Sequence, residues 1–345
     1  MKAVIRPGLK VLHKVAGQNS ALERRLRRRY RRIRSQRVVH REDGTFREMA
    51  GEDFVYGASI EPGGRVGIYL RGGCDLPATF RCLALLKPAL RGEVCIYKEG
   101  NGISDARVDL LLQGLRGVPS DQTAEVVDRL QLGSGYFGDD LFSPTFRVPA
   151  APGIGEFRKD FVILSMGPNL VRTAYRHREH GFLVDPGGWW LNQSMDKVLG
   201  NLDTAKWFNS TFQSIGKMSV DQFSRDMAQL VTEIRDRTGA QILVFNVLDL
   251  EPGNLTHNHR FITNQHLRRL REFPAALADL SHQLGFAVVD VDQVVKGEGA
   301  GNHIDFAHFP SELADPVARE VCRALSSLGL DTLGCDPSPL GAGGG

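Results

Sequence analysis

Two residues near the C-terminus, Asp305 and His308, have the types and the spacing of an acid–base pair. A carboxylate three residues before a histidine can orient the imidazole and stabilise its protonated form, as in a Ser-His-Asp triad. The pair follows a strand-like run at 287–291 and precedes an amphipathic helix predicted over 311–328. This context predicts a hydrogen-bonded pair in a loop after a strand. The alternative is a surface motif at the start of a helix, in which Asp305 caps backbone amides.

Polar or glycine-containing loops follow the first three predicted strands. These strands cover 65–70, 93–97 and 160–166, and the candidate residues that follow them are Cys74 and Asp75, then Gly102, then Asn169. An amide side chain such as that of Asn169 and a backbone N–H such as that of Gly102 can donate to a developing oxyanion. The alternative is structural: Asn169 caps a turn, and Gly102 provides a positive φ.

Predicted strands and helices alternate along most of the chain. Two more strands are predicted at 241–247 and 286–291, and helices at 78–90, 104–115, 219–237 and 265–284. Such alternation predicts a parallel sheet with helices on both faces. Ligands bind beyond the carboxyl ends of the strands in these sheets. All the candidate residues above should therefore lie along one edge.

The residues in these loops resemble the sequence blocks of the SGNH hydrolases, also called the GDSL family, which are esterases and acyl-transfer enzymes. Asp305 and His308 match the family's fourth block, Gly167-Pro-Asn169 matches the third, and Gly102 matches the second. The resemblance covers roughly residues 60–328. It implies an α/β fold: a flavodoxin-like three-layer α/β/α sandwich with a central parallel sheet.

The first block of the family departs from its usual pattern, because the loop at 72–76 contains no serine. The better alignment with G-D-S-L puts Asp75 at the nucleophile position and Leu76 at the aliphatic one. A shift by one residue puts Cys74 there instead. Cysteine could attack a carbonyl with His308 as its base. Asp75 could instead bind a substrate hydroxyl or amine, or help Asp305 to hold a cation, and Cys74 could be a buried structural thiol.

The resemblance implies a hydrolase or acyltransferase that acts on a small-molecule or carbohydrate ester. His308 would be the general base, Asp305 would orient it, and the oxyanion would be held by Asn169 and Gly102. The nucleophile would be Cys74, or else a hydroxyl or water that His308 activates directly. The alternative is a degenerate member that binds a carbohydrate or acylated ligand without turnover, and the missing serine favours it.

A chain of 345 residues, 42% of them hydrophobic, can bury one large α/β domain. We expect a basic amphipathic extension followed by this domain, with two polar excursions inside it and a disordered tail. The predicted boundaries are 1–48 for the extension, 49–330 for the domain, 117–158 and 170–217 for the excursions, and 331–345 for the tail.

The net charge of +3 conceals a basic N-terminus, since residues 1–40 contain thirteen Lys and Arg against one Glu. Nine arginines lie between Arg24 and Arg37, with apolar residues among them at helical spacing. The pattern predicts an amphipathic basic helix. It could dock on an acidic part of the same protein, or bind an anionic membrane surface or an acidic protein through residues 22–37. Without an aromatic platform or a binding motif, nucleic acid is not favoured.

Five cysteines, an odd number without C-x-x-C spacing, predict reduced thiols and no zinc cluster. No apolar run approaches the ~20 residues that span a bilayer, and the N-terminus lacks the apolar run of a secretory signal. We therefore expect a cytoplasmic protein, membrane-peripheral if the basic helix binds lipid, with no cofactor and no metal.

Overall fold

The computed structural model describes residues 38–99, 107–130, 132, 136–138, 140–187, 195–250, 264–299 and 308–330. Asp305 and Gly102 lie outside these residues, as do the basic helix expected within 1–37 and the expected tail.

Within the described residues, thirteen strands form three sheets. They are β1 (Val39–Glu42), β2 (Phe46–Ala50), β3 (Phe54–Ser59), β4 (Arg65–Arg71), β5 (Glu93–Glu99), β6 (Thr145–Arg147), β7 (Glu156–Arg158), β8 (Phe161–Ser165), β9 (Thr173–His177), β10 (Leu183–Val184), β11 (Phe212–Lys217), β12 (Gln241–Phe245) and β13 (Ala287–Val289). The main sheet has eight strands in the order β1-β2-β3-β5-β4-β8-β12-β13.

Five neighbouring strands of the main sheet, β5-β4-β8-β12-β13, are parallel. Numbered along the chain, their spatial order is 2-1-3-4-5, which is the strand order of flavodoxin-like folds. All five predicted strands are present, and the predicted α/β class is confirmed. Every residue of β8 is buried, as a parallel strand covered on both faces requires.

Ten α-helices are described. They are α1 (Cys82–Leu86), α2 (Val108–Arg116), α3 (Ser120–Leu130), α4 (Gly167–Val171), α5 (Met195–Leu199), α6 (Leu202–Thr211), α7 (Val220–Thr238), α8 (Asn264–Leu284), α9 (Val291–Gly297) and α10 (Ala314–Ser327). Short 3-10 helices cover Leu76–Arg81, Asp140–Phe142, Pro152–Ile154 and Ser311–Leu313.

The helices form two layers around the parallel strands. Helix α10 packs on α1, α9 and β13, whereas α7 packs on α2 and α8. Local sequence signals set the ends of the long helix α7: the Ser219 hydroxyl accepts a hydrogen bond from the Gln222 amide, and Gly239 ends the helix at φ 72°. None of the described helices has the length and apolar character to cross a membrane.

Strands β1, β2 and β3 form an antiparallel extension on the β5 side of the sheet, which the sequence pattern did not predict. It begins at Val39, so the sheet starts ten residues before the boundary expected at residue 49. Strand β1 is exposed throughout. Its sequence, Val39-His-Arg-Glu42, therefore lacks the apolar alternation from which a strand is recognised.

The two predicted excursions contain regular structure. Strands β10-β9-β11 form a small antiparallel sheet, and a second hydrophobic cluster, separate from the main core, packs α3 and α6 against it through Val126, Phe182, Phe208 and Phe212. Short strands and helices that bury only a few side chains each give weak periodicity, which explains why the sequence predicts polar loops here.

Candidate functional site

The loop after β4 brings a cysteine to the histidine of the predicted acid–base pair. The Cys74 Sγ lies 2.7 Å from His308 Nε2. Either the thiol donates to a neutral imidazole or the imidazolium donates to a thiolate, because the distance does not define the tautomer. The two residues are 234 positions apart in the chain. They meet because β4 and the segment before α10 both end at the carboxyl edge of the sheet, as the strand pattern predicts.

Cys74 differs from the other described cysteines in its exposure. Cys82, Cys95 and Cys322 are buried, whereas Cys74 is exposed, and all four are free. Burial raises the pKa of the Cys82 and Cys95 thiols, which keeps them protonated. The alternative that Cys74 is a buried structural thiol is therefore wrong.

Two glycines let this loop approach the end of β8. A Cβ on Gly72 would lie 2.7 Å from the Cβ of Ser165, and a Cβ on Gly73 would lie 2.5 Å from Asp75 Oδ1. Both distances are shorter than side chains tolerate. The Gly72-Gly73 pair is thus required for the close packing that turns Cys74 outward and Asp75 inward.

Asp75 points into the protein, where the Ser165 hydroxyl donates a 2.7 Å hydrogen bond to its Oδ2. Its carboxyl is buried, and burial raises its pKa; the hydrogen bond from Ser165 and the charge of His308 act in the opposite direction but are weaker. The better alignment with the family put Asp75 at the nucleophile position. In the structure Cys74, not Asp75, makes the hydrogen bond to the imidazole.

Asn169 lies in α4, directly after β8, and is fully buried. Its Oδ1 accepts a 2.9 Å hydrogen bond from the Val108 amide, and its Nδ2 donates to the Met166 carbonyl at 3.1 Å. The side chain therefore fastens the start of α2 to the end of β8. One amide hydrogen of Nδ2 is left for a further acceptor, and the oxyanion role of Asn169 stays a prediction.

Two further residues of the predicted site, Asp305 and Gly102, lie outside the described residues, so their roles also stay predictions. The described parts of the chain contain no group of three or more His, Cys, Asp or Glu side chains arranged to hold a metal ion. Among these residues the reactive groups at the sheet edge are the Cys74 thiol and the His308 imidazole.

Ser165 is a site residue that the sequence motifs did not reveal, although a signal was present. It is the one polar residue in the apolar run Phe161–Met166. A hydroxyl in a strand that is buried on both faces needs a hydrogen-bonding partner, and a polar residue at the carboxyl end of such a strand points to the site. What the sequence could not supply was the identity of that partner, Asp75.

No protein-family model and no curated protein sequence matches this chain. Solved structures do match. A protein named as a GDSL-like lipase from Parabacteroides merdae is 14% identical, with 77% of this chain and 98% of that chain covered and a TM-score of 0.41. A catalytic mutant of an acetylxylan esterase from Geobacillus stearothermophilus is 12% identical. The match covers 77% of this chain and 95% of that chain, with a TM-score of 0.38. A lipase/acylhydrolase from Enterococcus faecalis is 10% identical. The match covers 77% of this chain and 96% of that chain, with a TM-score of 0.38.

These solved structures carry names from the family that the sequence motifs resemble. At such identities and TM-scores, the likeness gives this chain neither an activity nor a residue role. The class of protein is defined by the strand order: a flavodoxin-like α/β sandwich with a cysteine–histidine pair at the carboxyl edge of its sheet.

Proposed function

We propose that this protein is an SGNH-like hydrolase or acyltransferase that acts on an ester or acyl group, with Cys74 as its nucleophile and His308 as its general base. The observation that carries the proposal is the 2.7 Å contact between Cys74 Sγ and His308 Nε2. A nucleophile and a base within hydrogen-bonding reach are the minimum arrangement for covalent acyl transfer. Exposure of Cys74 at the sheet edge gives a substrate access to the thiol.

The reaction would proceed in two halves. His308 takes the thiol proton as Sγ attacks the carbonyl carbon, and a C–S bond forms. The oxyanion then collapses, the ester C–O bond breaks, and His308 returns the proton to the leaving oxygen. In the second half a water or an acceptor hydroxyl attacks the thioester while His308 takes its proton. The C–S bond then breaks, the acid or the new ester is released, and the proton returns to Cys74.

The buried Asp75 supports the histidine electrostatically in this scheme. Its carboxyl interacts with the charge of His308, so an ionised Asp75 would stabilise the imidazolium formed in each half-reaction. Asp305 would orient the ring, and Asn169 and Gly102 would donate to the oxyanion, as the family resemblance implies.

The test is hydrolysis of a short activated ester by the purified protein and its variants. His308→Ala and Cys74→Ala should each lower kcat/KM by about two orders of magnitude or more, and His282→Ala, an exposed histidine on α8, should not. Mass spectrometry of the quenched reaction should find the acyl group on the peptide that contains Cys74.

Other outcomes separate the remaining alternatives. Activity that survives in Cys74→Ala but is lost in His308→Ala would mean that His308 activates water or the acceptor hydroxyl directly. Activity that survives both substitutions would overturn the proposal. Saturable binding of an acylated sugar without turnover would establish the degenerate, ligand-binding alternative instead.

A further inference from the structure

A pocket of about 380 Å³ lies where β11 leads into α7, beside the first turns of α8. The side chains that line it are polar or basic with one exception: Lys217, Met218, Ser219, Gln265, His266 and Arg269. Among the described residues no Asp or Glu lines this pocket. Its walls therefore present positive charge and hydrogen-bond donors. Glu272, one turn further along α8, offsets part of the charge of Arg269, and Arg107 adds to it.

Arg269 is held in a fixed orientation at one wall. Its Nε donates to the Leu170 carbonyl at 2.9 Å and its Nη2 to the Asn169 carbonyl at 3.2 Å. Its guanidinium also lies 4.5 Å from the ring centre of Phe273. In the described structure nothing accepts a hydrogen bond from Nη1. A guanidinium fixed in this way loses little side-chain entropy when it binds a ligand.

Lys217 provides the second positive charge. Partial burial and the charge of Arg269 both lower its pKa, which means that the two cations repel each other across the pocket. An anion between the two charges would relieve this repulsion. Helix α7, nineteen residues long, begins at the same place with Ser219 as its N-cap, and its dipole adds to the positive potential.

The pocket is connected to the cysteine–histidine site through α4. Arg269 binds the Asn169 carbonyl, and Ser165, which binds Asp75, lies four residues earlier. Ser165 ends β8 and Asn169 lies in α4, so the four-residue step between them spans at most about 14 Å of extended chain. The segment 165–169 thus contacts both the loop that carries Cys74 and the wall of the pocket.

We propose that the pocket between Lys217 and Arg269 binds an oxyanion group, a carboxylate or a phosphate, on the molecule whose ester is attacked. The identity of the ligand as substrate rests on the function proposed above, but anion binding itself does not. Arginine with lysine and a hydroxyl is a donor set that suits both groups. A negatively charged acyl compound is thus the substrate class that this site fits.

Anion binding is tested first, by calorimetric titration of the full chain with inorganic phosphate and, separately, with acetate at constant ionic strength. At least one anion should bind saturably, and the preferred one identifies the group. Lys217→Gln should weaken that binding about tenfold, the loss expected for one charge-assisted hydrogen bond. Lys206→Gln, an exposed lysine on α6, is the matched control and should bind as the unmodified protein does. No saturable binding, or equal binding by Lys217→Gln, would overturn the proposal.

The second measurement asks whether the bound anion belongs to the substrate. Aryl esters of acetate and of a dicarboxylic acid with one free carboxylate should be compared. Lys217→Gln should lower the ratio of kcat/KM for the charged ester to that for the neutral ester about tenfold, and Lys206→Gln should not change this ratio. If neither ester is cleaved, the proposed enzymatic function is wrong. The calorimetric titration still tests the proposed anion binding independently. Saturable binding with an unchanged ratio would overturn the substrate assignment.

Discussion

The hydroxyl of Ser165 donates a 2.7 Å hydrogen bond to the buried carboxyl of Asp75, the residue next to Cys74 in the chain. The bond ties the loop after β4 to the end of β8, two neighbouring strands of the parallel sheet. Because Asp75 is anchored inward, Cys74 faces the opposite way and meets His308. The hydrogen bond and the close approach at Gly72 and Gly73 thus accompany the opposite orientations of these two adjacent side chains.

Alkylation should be selective for Cys74. Iodoacetamide should modify Cys74 in the folded protein, whereas Cys82, Cys95 and Cys322 should react only after unfolding because they are buried. His308→Ala should slow the modification, since the imidazole no longer takes the thiol proton. Peptide mapping by mass spectrometry measures the label at each cysteine. In folded Cys74→Ala, where the exposed thiol is removed, the same mapping shows how much label Cys335 takes up. Equal labelling of buried and exposed cysteines in the native protein would contradict the burial of Cys82 in α1, Cys95 in β5 and Cys322 in α10.

Asp75 should make stability depend on pH in a defined direction. Burial raises its pKa above the ordinary 3.8, so the folded protein holds the proton at pH values where the unfolded chain has lost it. Its contribution to stability is fully present below the unfolded pKa and is lost as pH rises through the folded pKa. Relative to Asp75→Asn, the free energy of unfolding of the unmodified protein should therefore fall with rising pH, by at most about 1.4 kcal/mol per unit.

Urea unfolding of both proteins over a pH series measures this difference. Ser165→Ala provides the control, because the hydrogen bond from Ser165 lowers the pKa of Asp75. Without that bond the dependence on pH should become larger. A difference between the unmodified protein and Asp75→Asn that stays constant across the series would show that Asp75 titrates as it does in the unfolded chain.

Gly73→Ala should destabilise the loop that carries Cys74. The new Cβ would lie 2.5 Å from Asp75 Oδ1 and 3.3 Å from Ser165 Oγ, so the loop must shift, at a cost of about 1–3 kcal/mol. Gly153→Ala is the matched control, because a Cβ at Gly153 would meet nothing within 4 Å, and it should change stability by less than about 0.5 kcal/mol. Thermal and urea unfolding measure both, and equal stability of the two variants would contradict the close approach.

Two variants at Asn169 should distinguish a structural role of this residue from a catalytic one. Asn169→Ala leaves the Val108 amide without its acceptor and should cost about 1–3 kcal/mol of stability. Asn169→Asp keeps an oxygen for Val108 but removes the amide donor. If that donor holds the oxyanion, kcat should fall about 10²–10³-fold with KM little changed. A variant that is less stable but retains kcat, when corrected for its folded fraction, would make Asn169 purely structural.

The basic N-terminal segment should bind anionic surfaces in a salt-sensitive manner. Deletion of residues 1–37 keeps every described strand, since β1 begins at Val39. We expect the truncated protein to keep its cooperative melt but to bind anionic vesicles more weakly. The difference should shrink as salt rises, because exposed charges are screened over about 8–10 Å at physiological ionic strength. Vesicle sedimentation at two salt concentrations measures it, and loss of the cooperative melt would mean that the segment is part of the core.

Strands with continuous apolar runs were predictable from the sequence, and strands with exposed or mixed faces were not. Phe161–Ser165 and Gln241–Phe245 have the apolar character of parallel strands covered on both faces. In contrast, Val39–Glu42 is entirely exposed and belongs to the sheet only through its backbone bonds to β2. Hydrogen bonds between main chains leave little trace in side-chain type, which is why β1 escaped prediction.

The sequence by itself determined the class of fold and the edge at which the chemistry lies, because hydrophobic periodicity sets the strands and the loops after parallel strands share one edge. Only the tertiary structure decided which residue of the first loop meets His308. Cys74 and Asp75 are adjacent, and local sequence favours neither as the histidine's partner. In the folded chain the Ser165 hydroxyl, ninety residues away, satisfies the buried carboxyl of Asp75, and Cys74 contacts the imidazole, because residues this distant in sequence meet only through tertiary packing.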